Sequence, residues 1–169
     1  MEKELAEIKE KCLKCEKCPL AKSRTNVVFS DGKANHNLML IGEAPGYWED
    51  VKGKPFVGKA GQLLDKIFNC VGLSREKDVY ICNTIKCRPP ENRNPLPEEK
   101  EACREFLDGQ IRIINPKIII FCGATALKSF YDKKVAISKI RGEVLEIGIG
   151  GKIRKCIPIF HPSYLLRYH

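Results

Sequence analysis

Leu38-Met39-Leu40-Ile41-Gly42-Glu43-Ala44-Pro45-Gly46 is the stretch on which the fold turns. Four consecutive apolar residues read as a buried strand, and the glycine behind them ends it in a turn. The rest of the chain alternates helix and strand around it. Upstream, Leu5, Ile8 and Cys12 recur at helical spacing. Downstream, Leu63, Leu64, Ile67, Phe68 and Val71 share one face of a helix predicted over residues 60–71. Val79-Tyr80-Ile81-Cys82 is a second strand. Past a proline-rich loop over 88–97, Pro97-Glu98-Glu99 opens a helix, since an early proline and an acidic first turn suit a helix start. Its core face carries Cys103, Phe106, Leu107 and Ile111. Residues 118–121 make a third strand, followed by a short helix through Ala124, Leu127 and Tyr131. Residues 144–149 and 153–159, joined through Gly150-Gly151, read as a hairpin whose second arm also enters the sheet. Alternation of this kind predicts a three-layer α/β/α sandwich with a mainly parallel sheet. At 169 residues the chain fits one domain, with no repeat or low-complexity tract.

Thirty Lys+Arg against 21 Asp+Glu give a net charge of +9, which favours a polyanionic partner, nucleic acid first. Charge alone also fits a generally basic, soluble protein. The nine cysteines are an odd number, and Met1-Glu2-Lys3-Glu4-Leu5 opens a charged helix where a secretory signal would be apolar. A disulfide framework is therefore disfavoured, and a reducing, cytoplasmic setting is expected. The longest apolar run, residues 118–122, is strand length and far short of a membrane span.

Three motifs fall at strand ends: Gly42-Glu43-Ala44-Pro45-Gly46, then Asn83, then His161-Pro162-Ser163. Ligands of open α/β sheets bind at the carboxyl ends of strands, so the three are expected to meet at one edge. Each alone is weak, since a lone histidine is more often structural. The Asn83 carboxamide offers a donor and an acceptor in one plane, which suits the Watson-Crick edge of a pyrimidine. Four residues on, Cys87 calls for partners, and Cys15, Cys18 and Cys103 are available. Cys12 extends the first pair to C-x2-C-x2-C, so the pair is either Cys12 with Cys15 or Cys15 with Cys18. By spacing alone four cysteines suit an iron-sulfur cluster or zinc equally. Cys70, Cys82, Cys122 and Cys156 sit in apolar surroundings and read as core residues. Basic residues flank the motif loops: Lys52, Lys54 and Lys59, Arg88 and Arg93, Lys139 and Arg141, and Arg167.

Taken together, four ordered blocks cover nearly the whole chain. They are Gly42 to Gly46 with Glu49-Asp50, then Pro55-Phe56-Val57-Gly58 with Ala60-Gly61, then Asn83 with Lys86-Cys87-Arg88-Pro89-Pro90, and finally His161-Pro162-Ser163-Tyr164-Leu165-Leu166-Arg167. With the four cysteines, they resemble the signatures of the family 4 uracil-DNA glycosylases, an iron-sulfur group of thermophile and archaeal type within the uracil-DNA glycosylase superfamily. The resemblance implies a central four-stranded parallel sheet between helices. It also implies a [4Fe-4S] cluster on Cys15, Cys18, Cys87 and Cys103, bracing the loops that face DNA, with zinc the alternative; Pro19-Leu20 after Cys18 selects the second pair and leaves Cys12 to helix packing. The implied reaction is hydrolysis of the N-glycosidic bond of flipped-out deoxyuridine, releasing uracil and leaving an abasic site, the first step of base excision repair.

Roles follow by resemblance. Phe56 stacks on the extruded base, and Asn83 accepts from uracil N3 and donates to O4, a pattern that cytosine reverses. Glu49 crowds the methyl of thymine, and Ala44 offers its backbone amide to the base. His161 donates to O2 as charge develops, and Glu43 positions or activates the attacking water. Arg88, Arg93 and Arg167 are expected to hold phosphates, while Leu165 or Leu166 enters the minor groove. The expected partner is uracil-containing DNA, single-stranded or with uracil opposite guanine or adenine. The expected protein is a monomer near the nucleoid, with a sliding clamp as an open partner. The family usually continues into a further helix beyond the point at which this sequence stops. A related group that captures uracil covalently uses a histidine in a basic insert, and residues 88–95 contain none. The competing non-enzyme reading is an iron-sulfur or zinc module that binds uracil or abasic sites without cutting. It leaves Glu43, Asn83 and His161 at the strand ends unexplained.

Overall fold

The computed structural model describes residues 1–168. In chain order the elements are α1 (Glu2–Leu13), α2 (Leu20–Ser23), β1 (Asp31–Gly32), β2 (Leu38–Gly42), α3 (Tyr47–Lys52), α4 (Lys59–Cys70) and β3 (Val79–Asn83). A 3-10 turn at Pro90–Asn92 then leads to α5 (Pro97–Ile114), β4 (Ile118–Cys122), α6 (Ala124–Lys128), α7 (Ile137–Ile140), β5 (Leu145–Ile149), β6 (Lys152–Ile159) and α8 (Pro162–Arg167).

One sheet holds the molecule, in the order β1-β3-β2-β4-β6-β5. The four central strands, β3, β2, β4 and β6, run parallel, and the two edge strands are antiparallel. The expected parallel four-stranded core is therefore present, with two short additions. One is the hairpin arm β5, paired with β6. The other is the two-residue β1, too short to leave a hydrophobic signature. β2 and β3 have every residue from Met39 to Gly42 and from Val79 to Asn83 buried, as strands covered on both faces must be.

On one face, Met39, Ile41, Tyr80 and Ile119 pack against Leu5 of α1 and Leu107, Ile111 and Ile114 of α5. On the other, Leu40, Val79 and Ile81 pack against Leu64 and Phe68 of α4 and against Phe56. A third apolar cluster, around Leu20, Phe29, Ile85 and Phe106, gathers Cys12, Cys15, Cys18, Cys87 and Cys103. Cys82, Cys122 and Cys156 are buried, as expected. Cys70 is not: it is the last residue of α4 and is exposed, because the apolar face of that helix passes through Leu64 and Phe68 and leaves position 70 outside.

Register places the motifs. Gly42 lies beside Asn83 across β2 and β3, and Cys122 lies beside Ile159 across β4 and β6. The loops that follow these ends are tied to one another: Thr84 N–H donates to Gly42 O at 2.9 Å, the Thr84 hydroxyl to Glu43 O at 2.6 Å, and Gly123 N–H to Ile159 O at 2.9 Å. Among the described residues, no helix is long and apolar enough to cross a membrane.

Candidate active site and thiol cavity

A broad pocket opens at the carboxyl ends of the parallel strands. Glu43, Ala44, Glu49, Phe56, Asn83 and His161 all line it, so three loops, helix α3 and the end of β3 deliver the residues expected there to one place.

Its floor depends on two glycines. A Cβ at Gly42 would stand 2.5 Å from Asn83 Oδ1 and 2.7 Å from Phe56 Cζ, so only hydrogen at that position lets the carboxamide and the ring lie across the end of β2. A Cβ at Gly61 would meet the Phe56 carbonyl oxygen at 1.8 Å, so Gly61 lets α4 begin directly against the Phe56 backbone. That backbone is held in the left-handed region, at φ 54°, which a phenylalanine adopts only when its surroundings over-determine it. Arg75 supplies the constraint, donating to Pro55 O at 2.9 Å and to Phe56 O at 2.7 Å, while Asp31 and Asp65 hold its guanidinium. Nothing in the sequence pattern marked Arg75, whose partners come from three separate segments.

Asn83 is 2% exposed, and among the described residues no protein group hydrogen-bonds its carboxamide. Its backbone carbonyl takes a 2.8 Å hydrogen bond from Lys86 Nζ. Phe56 and His161 stack with centroids 5.7 Å apart and planes 28° from parallel.

His161 caps α8. Its Nδ1 accepts from Ser163 N–H at 3.1 Å and lies 2.7 Å from the Ser163 hydroxyl. A backbone N–H can only donate, so Nδ1 carries the lone pair and the ring proton sits on Nε2. Burial holds the imidazole pKa below its ordinary value, and the Arg167 charge adds to this against the opposing pull of Glu49. The ring is neutral at pH 7, with one N–H donor. Gly123, at φ 96°, brings its backbone against this histidine: a Cβ there would lie 3.2 Å from His161 Cβ.

Glu43 is half-buried. Burial raises its carboxyl above the usual carboxylate range, while a hydrogen bond from Thr125 and the Lys100 charge pull the other way. Glu49 spends its carboxylate on backbone, with Oε1 accepting from Gly46 N–H at 3.0 Å and Oε2 from Val57 and Gly58 N–H at 3.0 and 2.8 Å. It thereby ties the Gly42–Gly46 loop to the Phe56 loop.

Of the expected phosphate-binding residues, Arg93 and Arg167 line the pocket. Arg88 folds over the Tyr47 ring at 5.3 Å and donates to Asn92. Arg93 is paired bidentately with Glu99, at 2.8 and 2.9 Å. Leu166 is exposed and Leu165 half-buried.

Behind the Asn83 loop, Cys12, Cys15, Cys18, Cys87 and Cys103 line a small, largely apolar cavity with Ile85 and Phe106. Arg24 Nη1 bridges Cys15 O at 2.7 Å and Cys87 Sγ at 3.5 Å, and Lys86 N–H lies 3.3 Å from Cys103 Sγ. Burial raises the thiol pKa of Cys12 to about 12 and of Cys103 to about 11, with Lys86 opposing both. Among the described residues, no three Cys, His, Asp or Glu side chains are grouped to hold a single metal ion. Five thiols around an apolar cavity, with the Arg24 guanidinium and the Lys86 backbone N–H directed at sulfur, fit a multi-iron cluster, whose thiolates stand at its corners.

Lys86 is the unforeseen residue of this region. It is 1% exposed, 5.8 Å from the Phe29 ring, and no salt bridge among the described residues includes it.

Known proteins resemble this chain over most of its length. The family model described as uracil DNA glycosylase superfamily matches residues 29–169. A type-4 uracil-DNA glycosylase of Thermotoga maritima is 54% identical over 166 residues, spanning 97% of this chain and 84% of that protein. Another, from Archaeoglobus fulgidus, is 42% identical over 166 residues, spanning 96% and 83%. A type-5 uracil-DNA glycosylase of Pyrobaculum aerophilum is 28% identical over 153 residues, spanning 79% and 64%.

Proposed function

This chain belongs to the uracil DNA glycosylase superfamily and resembles its type-4 members over nearly its whole length, and from that premise we propose how its strand-end pocket works. The activity is uracil-DNA glycosylase activity in DNA repair: hydrolysis of the bond between uracil and deoxyribose. Reaching that bond requires the nucleotide to leave the base stack, at a cost of a few kcal/mol.

The extruded uracil lies against the Phe56 ring, with its Watson-Crick edge toward the Asn83 carboxamide. Asn83 Oδ1 accepts from N3–H and Nδ2 donates to O4. Cytosine has an acceptor at N3 and an amino group at C4, so the same carboxamide meets it donor to donor and acceptor to acceptor, leaving buried groups unpaired. Thymine differs only by its C5 methyl, and Glu49 with the Gly46 loop fixes the wall on that side.

Bond cleavage leaves negative charge on uracil and positive charge on the sugar. His161, neutral and with its proton on Nε2, donates to O2 as the charge grows. A donor aimed at a developing oxyanion contributes about 10²–10³-fold. Glu43, ionised, orients the attacking water and favours the cationic sugar. Arg167 supports the phosphates on the α8 side, and Leu166, the exposed leucine, fills the space the base leaves.

Cys15, Cys18, Cys87 and Cys103 would hold a [4Fe-4S] cluster. Bound there, it supplies a rigid crosslink between the N-terminal segment and the loop that carries Asn83, with no part in bond breaking.

The observation that carries this reading is the meeting of Asn83 and Phe56 over Gly42, with His161 stacked on Phe56 and held in its Nε2–H form. Its test is product analysis on oligonucleotides bearing one uracil, single-stranded and opposite guanine or adenine, with thymine and cytosine controls. Free uracil and an abasic strand are expected from the uracil substrates alone. Tight binding of uracil DNA with no base released would instead favour the non-cutting module.

A further inference from the structure

The short helix α3 is inside out. Its two carboxylates turn inward: Asp50 is buried and accepts from Thr25 and Asn26 N–H, and Glu49 accepts from Gly46, Val57 and Gly58. Its large apolar side chains turn outward, with Tyr47 52% and Trp48 54% exposed. Isolated surface aromatics are ordinary, but inward-turned acids beside exposed aromatics on one short helix are not. The two rings meet edge to face with centroids 5.0 Å apart, and the Arg88 guanidinium covers Tyr47 from another loop. Both rings lie on the rim of the strand-end pocket, beside Lys59. The inward hydrogen bonds fix the helix, so the rings are presented to solvent by rigid backbone.

We propose that Tyr47 and Trp48 form a stacking platform for the nucleobase that neighbours the extruded deoxyuridine on the same strand. The proposal rests on the reading of the pocket given above. Extrusion strips the neighbouring base of one stacking partner, and an aromatic face at the pocket rim replaces it. Every base has a π face, so the contact tolerates any sequence. It continues directly from the pocket, and the net charge of +9, with Lys59 lining the pocket and Arg88 over the Tyr47 ring, suits the phosphates on either side.

Trp48 is the single tryptophan of the chain, so its fluorescence reports the platform alone. The probes are single-stranded oligonucleotides carrying 2′-fluoro-deoxyuridine, whose glycosidic bond resists hydrolysis. The flanking nucleotide on each side is either a normal base or an abasic spacer. Quenching of Trp48 is expected with normal flanks, and its loss when one particular flank is abasic. Trp48→Ala should weaken binding of the fully based probe about fivefold or more. It should leave the affinity for the probe with that abasic flank unchanged, and Trp48→Phe should recover most of the loss. Both rings being exposed, these variants keep the fold, which their melting temperature checks. Equal binding of all probes by parent and Trp48→Ala, without quenching, overturns the proposal. So does a Trp48→Ala variant that changes only the oligomeric state in size-exclusion chromatography, since the patch then serves a protein contact. Uracil release from ordinary deoxyuridine DNA is measured alongside: release with no platform effect rejects the platform alone, and no release rejects the glycosylase reading beneath it.

Discussion

Gly42→Ala probes the pocket through one added methyl group. The new Cβ would stand 2.5 Å from Asn83 Oδ1 and 2.7 Å from Phe56 Cζ. Ordinary contact distance is about 3.5 Å, so the carboxamide and the ring must each retreat by roughly 1 Å. A misplacement of that size at a reacting geometry costs about 10²-fold in rate. Gly42 ends a regular strand, so alanine adds no backbone strain, and overpacking costs about 1–3 kcal/mol. For a chain of this length that lowers the melting temperature by about 2–12 °C. Single-turnover release of uracil from a one-uracil oligonucleotide is the assay, run at a temperature where the variant is fully folded. The expected result is a fall of about 100-fold with the visible absorbance of the proposed cluster unchanged. A folded Gly42→Ala protein that releases uracil at the parent rate would refute the claim that Asn83 and Phe56 act from these positions.

The remaining predictions concern charge. Burial raises Glu43, so the acid side of the kcat/KM profile should break above the ordinary carboxylate value of 4.5; Glu43→Gln should slow the reaction and leave only the fall that His161 protonation causes below its ordinary value of 6.5. The same raised carboxyl binds its proton more tightly folded than unfolded. Its contribution to stability is complete below 4.5 and is lost as pH rises through the folded value, so denaturant titrations should show Glu43→Gln gaining on the parent across that window. Ser163→Ala removes the hydroxyl at 2.7 Å from His161 Nδ1 but keeps the backbone donor, so the rate should drop about fivefold with KM unchanged. Lys86→Met removes a buried cation near the thiols and leaves the Asn83 carbonyl without its donor: it should destabilise the protein by about 1–3 kcal/mol in denaturant titrations and speed the loss of iron to a chelator, followed by absorbance.

Much of this architecture was legible in the chain because buried parallel strands write themselves as unbroken apolar runs. Leu38–Ile41, Val79–Cys82 and Ile118–Phe121 all became strands, and the glycine hairpin delivered β6 into the sheet. Placement at strand ends then brought Glu43, Asn83 and His161 together. What stayed hidden was whatever inverts the usual relation between polarity and burial. Cys70 reads as core and lies outside, because the helix face rotates past it. Lysine is ordinarily solvated, yet Lys86 is buried, because the thiol cavity and the Asn83 carbonyl surround it. Helix α3 carries its acids inward and its aromatics outward, so a pattern search for an apolar inner face passes over it. Arg75 could not be seen from sequence either, since its clamp on the Phe56 loop exists only once four segments have folded together.

The most direct test of the site is the single-turnover rate of uracil release by the iron-loaded parent, Asn83→Ala and His161→Ala, with melting temperatures taken on the same samples. The account predicts a slowing of about 10²–10³-fold for His161→Ala, and a severe loss for Asn83→Ala, with all three proteins folded and loaded. Parent-like rates in either folded variant would contradict it and move the chemistry away from the ends of β3 and β6.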